Sequence, residues 1–154
     1  MMISDGLLKQ IATLGVIGYL PSAPGTFGSL AAFSFYLLLK PTTLTLFLIA
    51  VFLVPLGVLS SHRAEKLLGE KDSRHIVIDE FCGYFFSVLF LPYSVGYGLA
   101  AFFLFRGFDI LKPFPIRRIE NCLKGGAGIM ADDIAAALYS NIILQLWKIF
   151  ALKV

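Results

Sequence analysis

The sequence predicts an all-α fold, a multi-helix bundle integral to a membrane, and three observations carry that expectation. Hydrophobic residues make up 58% of the chain and charged residues 15%, against roughly 45–50% and 25% in soluble domains. Four stretches contain no Asp, Glu, Lys, Arg or His: residues 10–39, 41–61, 81–105 and 134–147. The charged residues cluster between those stretches instead of running through them. Residues 1–154 read as a single membrane-embedded domain, with no internal repeat or low-complexity segment.

Taken in order, residues 11–20 fit an interfacial or re-entrant helix. The run Leu20-Pro21-Ser22-Ala23-Pro24-Gly25-Thr26 is a turn signal that stops it, so a span begins near Phe27. The N-terminus shows no cleavable signal pattern, and the chain is expected to insert through its own spans. Residues 41–61 form a clear span, since ~20 apolar residues cross a bilayer core. Residues 61–68 have helical character, with His62, Arg63, Glu65 and Lys66 on a solvated face. Residues 74–79 suit a short strand or a helix entering the bilayer. The helix is favoured because no breaker separates Ile76-Val77-Ile78 from Phe81 onward. As one helix, residues 81–105 would rise ~37 Å, long for a ~30 Å core. Pro92-Tyr93-Ser94 near the middle therefore predicts two short helices in a hairpin. The last stretch is extended by Ile149–Leu152, with Lys148 able to snorkel.

Charge placement also selects the hairpin. It puts Arg63, Lys66, Lys71, Arg74, Arg106, Lys112, Arg117, Arg118 and Lys124 on one side, opposite only Lys40 and Lys153. Such a bias marks the richer side as cytoplasmic. The same hairpin gathers Asp79, Glu80, Asp109, Asp132 and Asp133, half of the ten acidic residues, at that face. Short cytoplasmic loops would then carry the active site.

Carboxylates at a membrane edge are costly to desolvate, and a chain rarely keeps several there without a use. Asp79 and Glu80 open an apolar helix. One acid would suffice to cap it; two leave a ligand for a metal or a base for water. Asp109 and Lys112 are three apart and would share a helical face, with Pro113 and Pro115 fixing the loop beyond. Lysine serves phosphate as a compact point charge. Gly125-Gly126-Ala127-Gly128 precedes Asp132-Asp133 and the final helix, where backbone amides could approach an anion while one aspartate caps. Hard oxygen ligands of this kind suit Mg²⁺, which keeps waters and reaches substrate phosphate.

Other chemistries fit poorly. Neither Cys82 nor Cys122 begins a Cys-x5-Arg phosphate loop, and neither has disulfide or zinc spacing; Cys82 reads as a small packing residue. No Asp-x-Asp pair is present, His62 and His75 are isolated from one another, and nothing resembles a nucleic-acid module.

Four ordered motifs, Leu20-Pro-Ser-Ala-Pro-Gly-Thr-Phe-Gly-Ser29, Ile76-Val-Ile-Asp-Glu-Phe-Cys-Gly83, Phe108-Asp-Ile-Leu-Lys-Pro-Phe-Pro-Ile116 and Gly125-Gly-Ala-Gly-Ile-Met-Ala-Asp-Asp133, cover nearly the whole chain. On these residues it resembles the phosphatidylglycerophosphatase A family of bacterial membrane lipid phosphatases. The resemblance implies Mg²⁺-dependent conversion of phosphatidylglycerophosphate to phosphatidylglycerol at the cytoplasmic face of the inner membrane, with a phospholipid substrate and no nucleic acid. It implies Asp79, Glu80, Asp109, Asp132 and Asp133 as catalytic and metal-binding positions. It also carries over Lys112 and extends the site to the first loop at Pro24, Gly25 and Thr26, with Thr26 as a substrate-binding position. Lys112, the backbone amides from Gly125 and Gly126 to Gly128, Arg117 and Arg118 are then expected to hold the phosphates. Two departures flank the acids: Ser73 where a loop proline is expected, and Ala136-Ala137 where Ala-Gly is frequent. Two other readings compete: a Mg²⁺-dependent phosphoalcohol transferase, whose spaced Asp-Gly…Ala-Arg…Asp pattern is absent, and an ion-coupled transporter.

Overall fold

A computed structural model describes residues 4–151. Seven helices follow in order: α1 (Asp5–Ala12), α2 (Pro24–Leu39), α3 (Thr43–Leu68), α4 (Ile78–Ser87), α5 (Val95–Leu111), α6 (Ile116–Cys122) and α7 (Gly126–Ala151), with a 3-10 turn at Ile17–Tyr19 between α1 and α2. No strand occurs among the described residues.

Two helices, α3 and α7, are long and apolar enough to cross a membrane, and their most apolar windows are only 22% buried within the protein. The core helix of a soluble protein would be mostly covered. Instead Leu48, Phe52, Ile142 and Phe150 lie exposed, an apolar surface that suits hydrocarbon. Thr42 caps α3 by accepting from the Thr45 amide, and Gly69 ends it in the left-handed conformation at φ 68°.

The uncharged run at 81–105 turns back on itself, and residues 88–94 make the break between α4 and α5. Tyr84 Oη donates to the Gly98 carbonyl across the hairpin (3.1 Å). A Cβ on Gly83 would come within 2.5 Å of the Phe105 ring, so a glycine is needed for this approach. The turn exposes carbonyls in an apolar setting, and each needs a donor. A polar edge of α7 supplies them. Asn141 Nδ2 donates to Leu89 O (2.7 Å) and Ser87 O (3.1 Å), Gln145 Nε2 to Leu89 O (3.1 Å), and Lys148 Nζ to Phe90 O (3.2 Å). Lys148 thus holds the hairpin tip, a role beyond the expected snorkelling. At ten residues, α4 rises only ~15 Å and does not cross a bilayer unaided.

The principal core lies between α2, α4, α5 and α7, around the fully buried Tyr36, Tyr84, Val88, Phe105 and Ala136. A second cluster under α1 and α3 contains Ala12, Ala64, Ile78, Met130 and Cys82, so this cysteine is a packing residue. The helices alternate in direction. The N-termini of α2, α4 and α7 therefore meet the C-termini of α3 and α5 at one end.

Three expectations are corrected. The helix expected over 11–20 is broken, because α1 stops at Ala12 and the chain reverses through Leu14 (φ 46°) and Gly15 (φ 65°). The reversal lets Gly18 pack where any Cβ would overlap the His75 carbonyl. The resulting hook anchors the approach to α4: Val77 N donates to Ala12 O (2.9 Å), and His75 Nδ1 to Gly18 O (2.7 Å). Second, residues 74–77 are neither strand nor helix, and α4 begins at Ile78. Third, the acidic residues do not sit on loops, since all five belong to α4, α5 and α7.

Candidate active site

A cleft of about 300 Å³ opens at the end where those helix termini meet, walled by α2, the 72–76 segment, α4, α5 and α7. All five clustered acids line it. Asp79 and Glu80 occupy the first turn of α4. The cap position itself is Val77, without a side-chain cap bond, so the acids are not caps. Asp109 comes from the last turn of α5. Asp132 and Asp133 lie six and seven residues into α7, ~9–10 Å along its axis, and they are buried (6% and 3% exposed). Neither aspartate caps α7, contrary to the sequence expectation.

Cations bind the wall together. Arg106 Nη1 lies 2.6 Å from Asp109 Oδ2, one helical turn along α5, and 3.5 Å from Glu80 Oε1 on α4. Lys112 leaves α5 in the left-handed conformation (φ 43°) ahead of Pro113. That turn directs its Nζ to Asp132 Oδ2 on α7, at 2.6 Å. The Lys112–Asp132 contact is a charge-assisted hydrogen bond, whereas Arg106 Nη1 meets its two carboxylates as an ion pair without hydrogen-bond geometry.

The positive charge is insufficient. Six carboxylates line the cleft, with Asp72 among them, against Arg74, Arg106 and Lys112. Asp79 Oδ1, Glu80 Oε2, Asp132 Oδ1 and Asp133 Oδ2 are buried without a hydrogen-bond partner, a costly state for carboxylate oxygens. Burial foremost, then the Glu80 charge, pushes the Asp79 carboxyl well above its usual range. Burial lifts Glu80 to about 7, although its contact with Asp79 and the Arg106 charge oppose the rise. Oxygens of Asp79, Glu80 and Asp133 lie within 4.8 Å of one another, and so do those of Asp109, Asp132 and Asp133. Converging hard oxygens with unmet electrostatic demand fit a divalent cation of the Mg²⁺ type.

The remaining sequence-predicted positions separate. Thr26 lies beside the cleft lining, its amide donating to Ala23 O (3.0 Å). The wall at that point is Gly25, where a Cβ would overlap Glu80 Oε1. Gly126 is buried against α3, where a Cβ would overlap the Val58 carbonyl. The amides of Gly128 and Ile129 donate to Gly125 O (2.9 and 3.2 Å) within the first turn of α7. The glycine run thus packs as the first turn of α7 against α3. Gly125 borders a side cleft of about 150 Å³ that shares Asp132 with the main one. Arg117 and Arg118 lie outside the acidic cleft, on a neighbouring groove that they share with Lys112 and Phe114. Arg106 is the participant that sequence reasoning did not single out as a site residue. The signal for Arg106 was its spacing, three residues before Asp109 at the edge of an uncharged run.

Comparison with known proteins shows the family. The family described as Phosphatidylglycerophosphatase A matches residues 10–148. The Phosphatidylglycerophosphatase A of Haemophilus influenzae is 38% identical over 167 aligned positions, covering 96% of this chain and all of that protein. The Escherichia coli protein of the same name is 40% identical, covering 82% of this chain and 75% of its own length. A protein of Bacteroides thetaiotaomicron named as a putative phosphatidylinositol-3-phosphatase is also 40% identical, over 82% of this chain and 84% of its own. No solved structure matches. The chain belongs to the phosphatidylglycerophosphatase A family.

Proposed function

We propose that this protein removes the terminal phosphate of phosphatidylglycerophosphate to leave phosphatidylglycerol, with Mg²⁺ in the acidic cleft, at the cytoplasmic face of the bacterial inner membrane. The observation that carries the reading is the set of buried, unpartnered oxygens on Asp79, Glu80, Asp132 and Asp133, in a chain of this phosphatase family. Asp79, Glu80, Asp109, Asp132 and Asp133 would hold the cation. When bound, such a cation supplies Lewis-acid stabilisation of phosphoryl charge and a more acidic water.

The chain's own groups do the rest. Arg106 and Lys112, each tied to an acid of the wall, present positive charge toward phosphate oxygens. The N-termini of α2 and α4, which line the cleft, add their positive dipole ends. Glu80, whose Oε2 is buried without a partner in the cleft, is suited to orient an attacking water and accept its proton. The water oxygen bonds to phosphorus as the phosphorus–glycerol oxygen bond breaks, and the proton passes on to the departing glycerol oxygen. The exposed Phe27, Leu30, Ile110 and Leu111 beside the cleft leave the acyl chains in the bilayer, so only the headgroup enters. The phosphatase family gives no support to the transferase or transporter readings. The Bacteroides relative favours one variant of the same chemistry, a phosphoinositide monoester as substrate.

The test is phosphate release by the purified protein from phosphatidylglycerophosphate, phosphatidylinositol 3-phosphate and phosphatidic acid, with and without Mg²⁺. Release should be fastest from the first and should require Mg²⁺. Asp79→Asn, Asp109→Asn and Asp133→Asn should each lower it by about 100-fold or more, the scale of losing one transition-state contact, while the protein stays folded in detergent. Full activity in all three would end the site assignment.

A further inference from the structure

Within the cation-binding reading just given, we infer that the cleft holds two divalent cations, one against Asp79 and Glu80, the other against Asp109 and Asp132, with Asp133 shared between them. The geometry supplies two separate trios. Asp133 is the member common to both, and in each trio one oxygen per residue lies within 4.8 Å of the others. Asp133 is 3% exposed, and its Oδ2 has no partner.

Each trio has its own unmet demand. The first retains Asp79 Oδ1 and Glu80 Oε2 without partners, and the second retains Asp132 Oδ1. Each also contains a carboxyl–carboxyl contact, Asp79 with Glu80 and Asp133 with Asp109. Two ionised carboxylates tolerate such contact only with positive charge between them. The protein's own cations answer this unevenly. Arg106 and Lys112 reach the second trio at 2.6 Å each, whereas Arg106 stands 3.5 Å from Glu80 of the first. A single cation would satisfy one trio and leave the other's oxygens buried and bare. Two cations sharing a carboxylate are necessarily close, and two-ion sites of phosphate chemistry hold their ions ~3.5–4 Å apart.

The experiment is a Mn²⁺ titration of the full-length protein in detergent micelles, read by electron paramagnetic resonance. Loss of the free six-line signal counts bound ions, and the saturated spectrum reports spin coupling between them. Two ions per chain with a coupled spectrum are expected. Glu80→Ala and Asp132→Ala should each reduce the count from two to one and abolish the coupling. A wild-type count of one or none, or two ions without coupling, overturns the inference, and this arm needs no variant to fold. The two readings fail separately. One bound ion with Mg²⁺-dependent phosphate release leaves the phosphatase standing and rejects the pair, whereas two coupled ions without release from any lipid phosphate does the reverse.

Discussion

Arg106 links acids from two helices through one guanidinium, 2.6 Å from Asp109 and 3.5 Å from Glu80. It is a positioning residue for the acidic wall. Arg106→Lys keeps the charge but replaces the planar guanidinium, whose Nη1 stands between the two carboxylates, with an ammonium of different shape and reach. Phosphate release should fall ~10-fold or more in Arg106→Lys and further in Arg106→Ala, with Mg²⁺ affinity altered in the same order; unchanged kinetics and affinity in Arg106→Ala would remove it from the site. Glu80 carries a pH consequence. Its folded carboxyl stands at about 7 against an ordinary 4.5, and Asp79 is shifted in the same direction. Between those values the folded chain keeps a proton that the unfolded chain has released. Stability of the cation-free protein therefore falls as pH rises through that window, on the order of 3 kcal/mol at most for Glu80. Thermal unfolding should show Tm declining from about pH 5 to about pH 7.5, with Mg²⁺ restoring it at the higher pH and doing little at the lower. A Tm that rises over this range would contradict the buried acids. The acids were legible in sequence because a charge in so apolar a chain is conspicuous. Arg106 was not, because it reads as one more basic residue flanking a span. Nor was the packing of Gly25 against Glu80, which joins residues 55 positions apart.

At the scale of elements, the α4–α5 hairpin was legible from length, a proline and charge, all local properties. The partners that make it tolerable were not. Asn141, Gln145 and Lys148 read as ordinary polar interruptions of the last helix, and only the packing of α4 against α7 brings them to the carbonyls of Leu89 and Phe90. The packing of the glycine run before α7 was hidden for the same reason. Composition suits a phosphate loop and a close helix crossing equally, and the choice depends on where α3 lies. Because a Cβ at Gly126 would overlap the Val58 carbonyl and come within 2.7 Å of the His62 amide, Gly126→Ala should destabilise the α3–α7 contact by ~1–3 kcal/mol. A lowered Tm in detergent is the expected result. Lost activity at unchanged Tm would instead favour an anion-binding role for that backbone.

Across the whole molecule, polarity is segregated by end. One end gathers the acidic cleft, Arg106, Lys112 and the exposed Arg117 and Arg118. The other gathers the hairpin tip, with Phe90, Leu91 and Pro92 facing the start of α3 and the end of α7. Between them run α3 and α7 with mostly uncovered apolar flanks. A bilayer parallel to that belt would put the two ends on opposite sides, and the excess of basic residues would hold the cleft end in the cytoplasm. The native cysteines make this measurable. Cys82 is buried and Cys122 is exposed at the end of α6, on the cleft side. A membrane-impermeant maleimide should therefore label Cys122 in inside-out vesicles and spare it in intact spheroplasts. In a Cys122→Ser background, Tyr93→Cys at the hairpin tip should show the opposite pattern, since Tyr93 is exposed there. Labelling of both positions from one side would mean that the helices between them do not cross, and would leave the cleft without the lipid surface that its substrate requires.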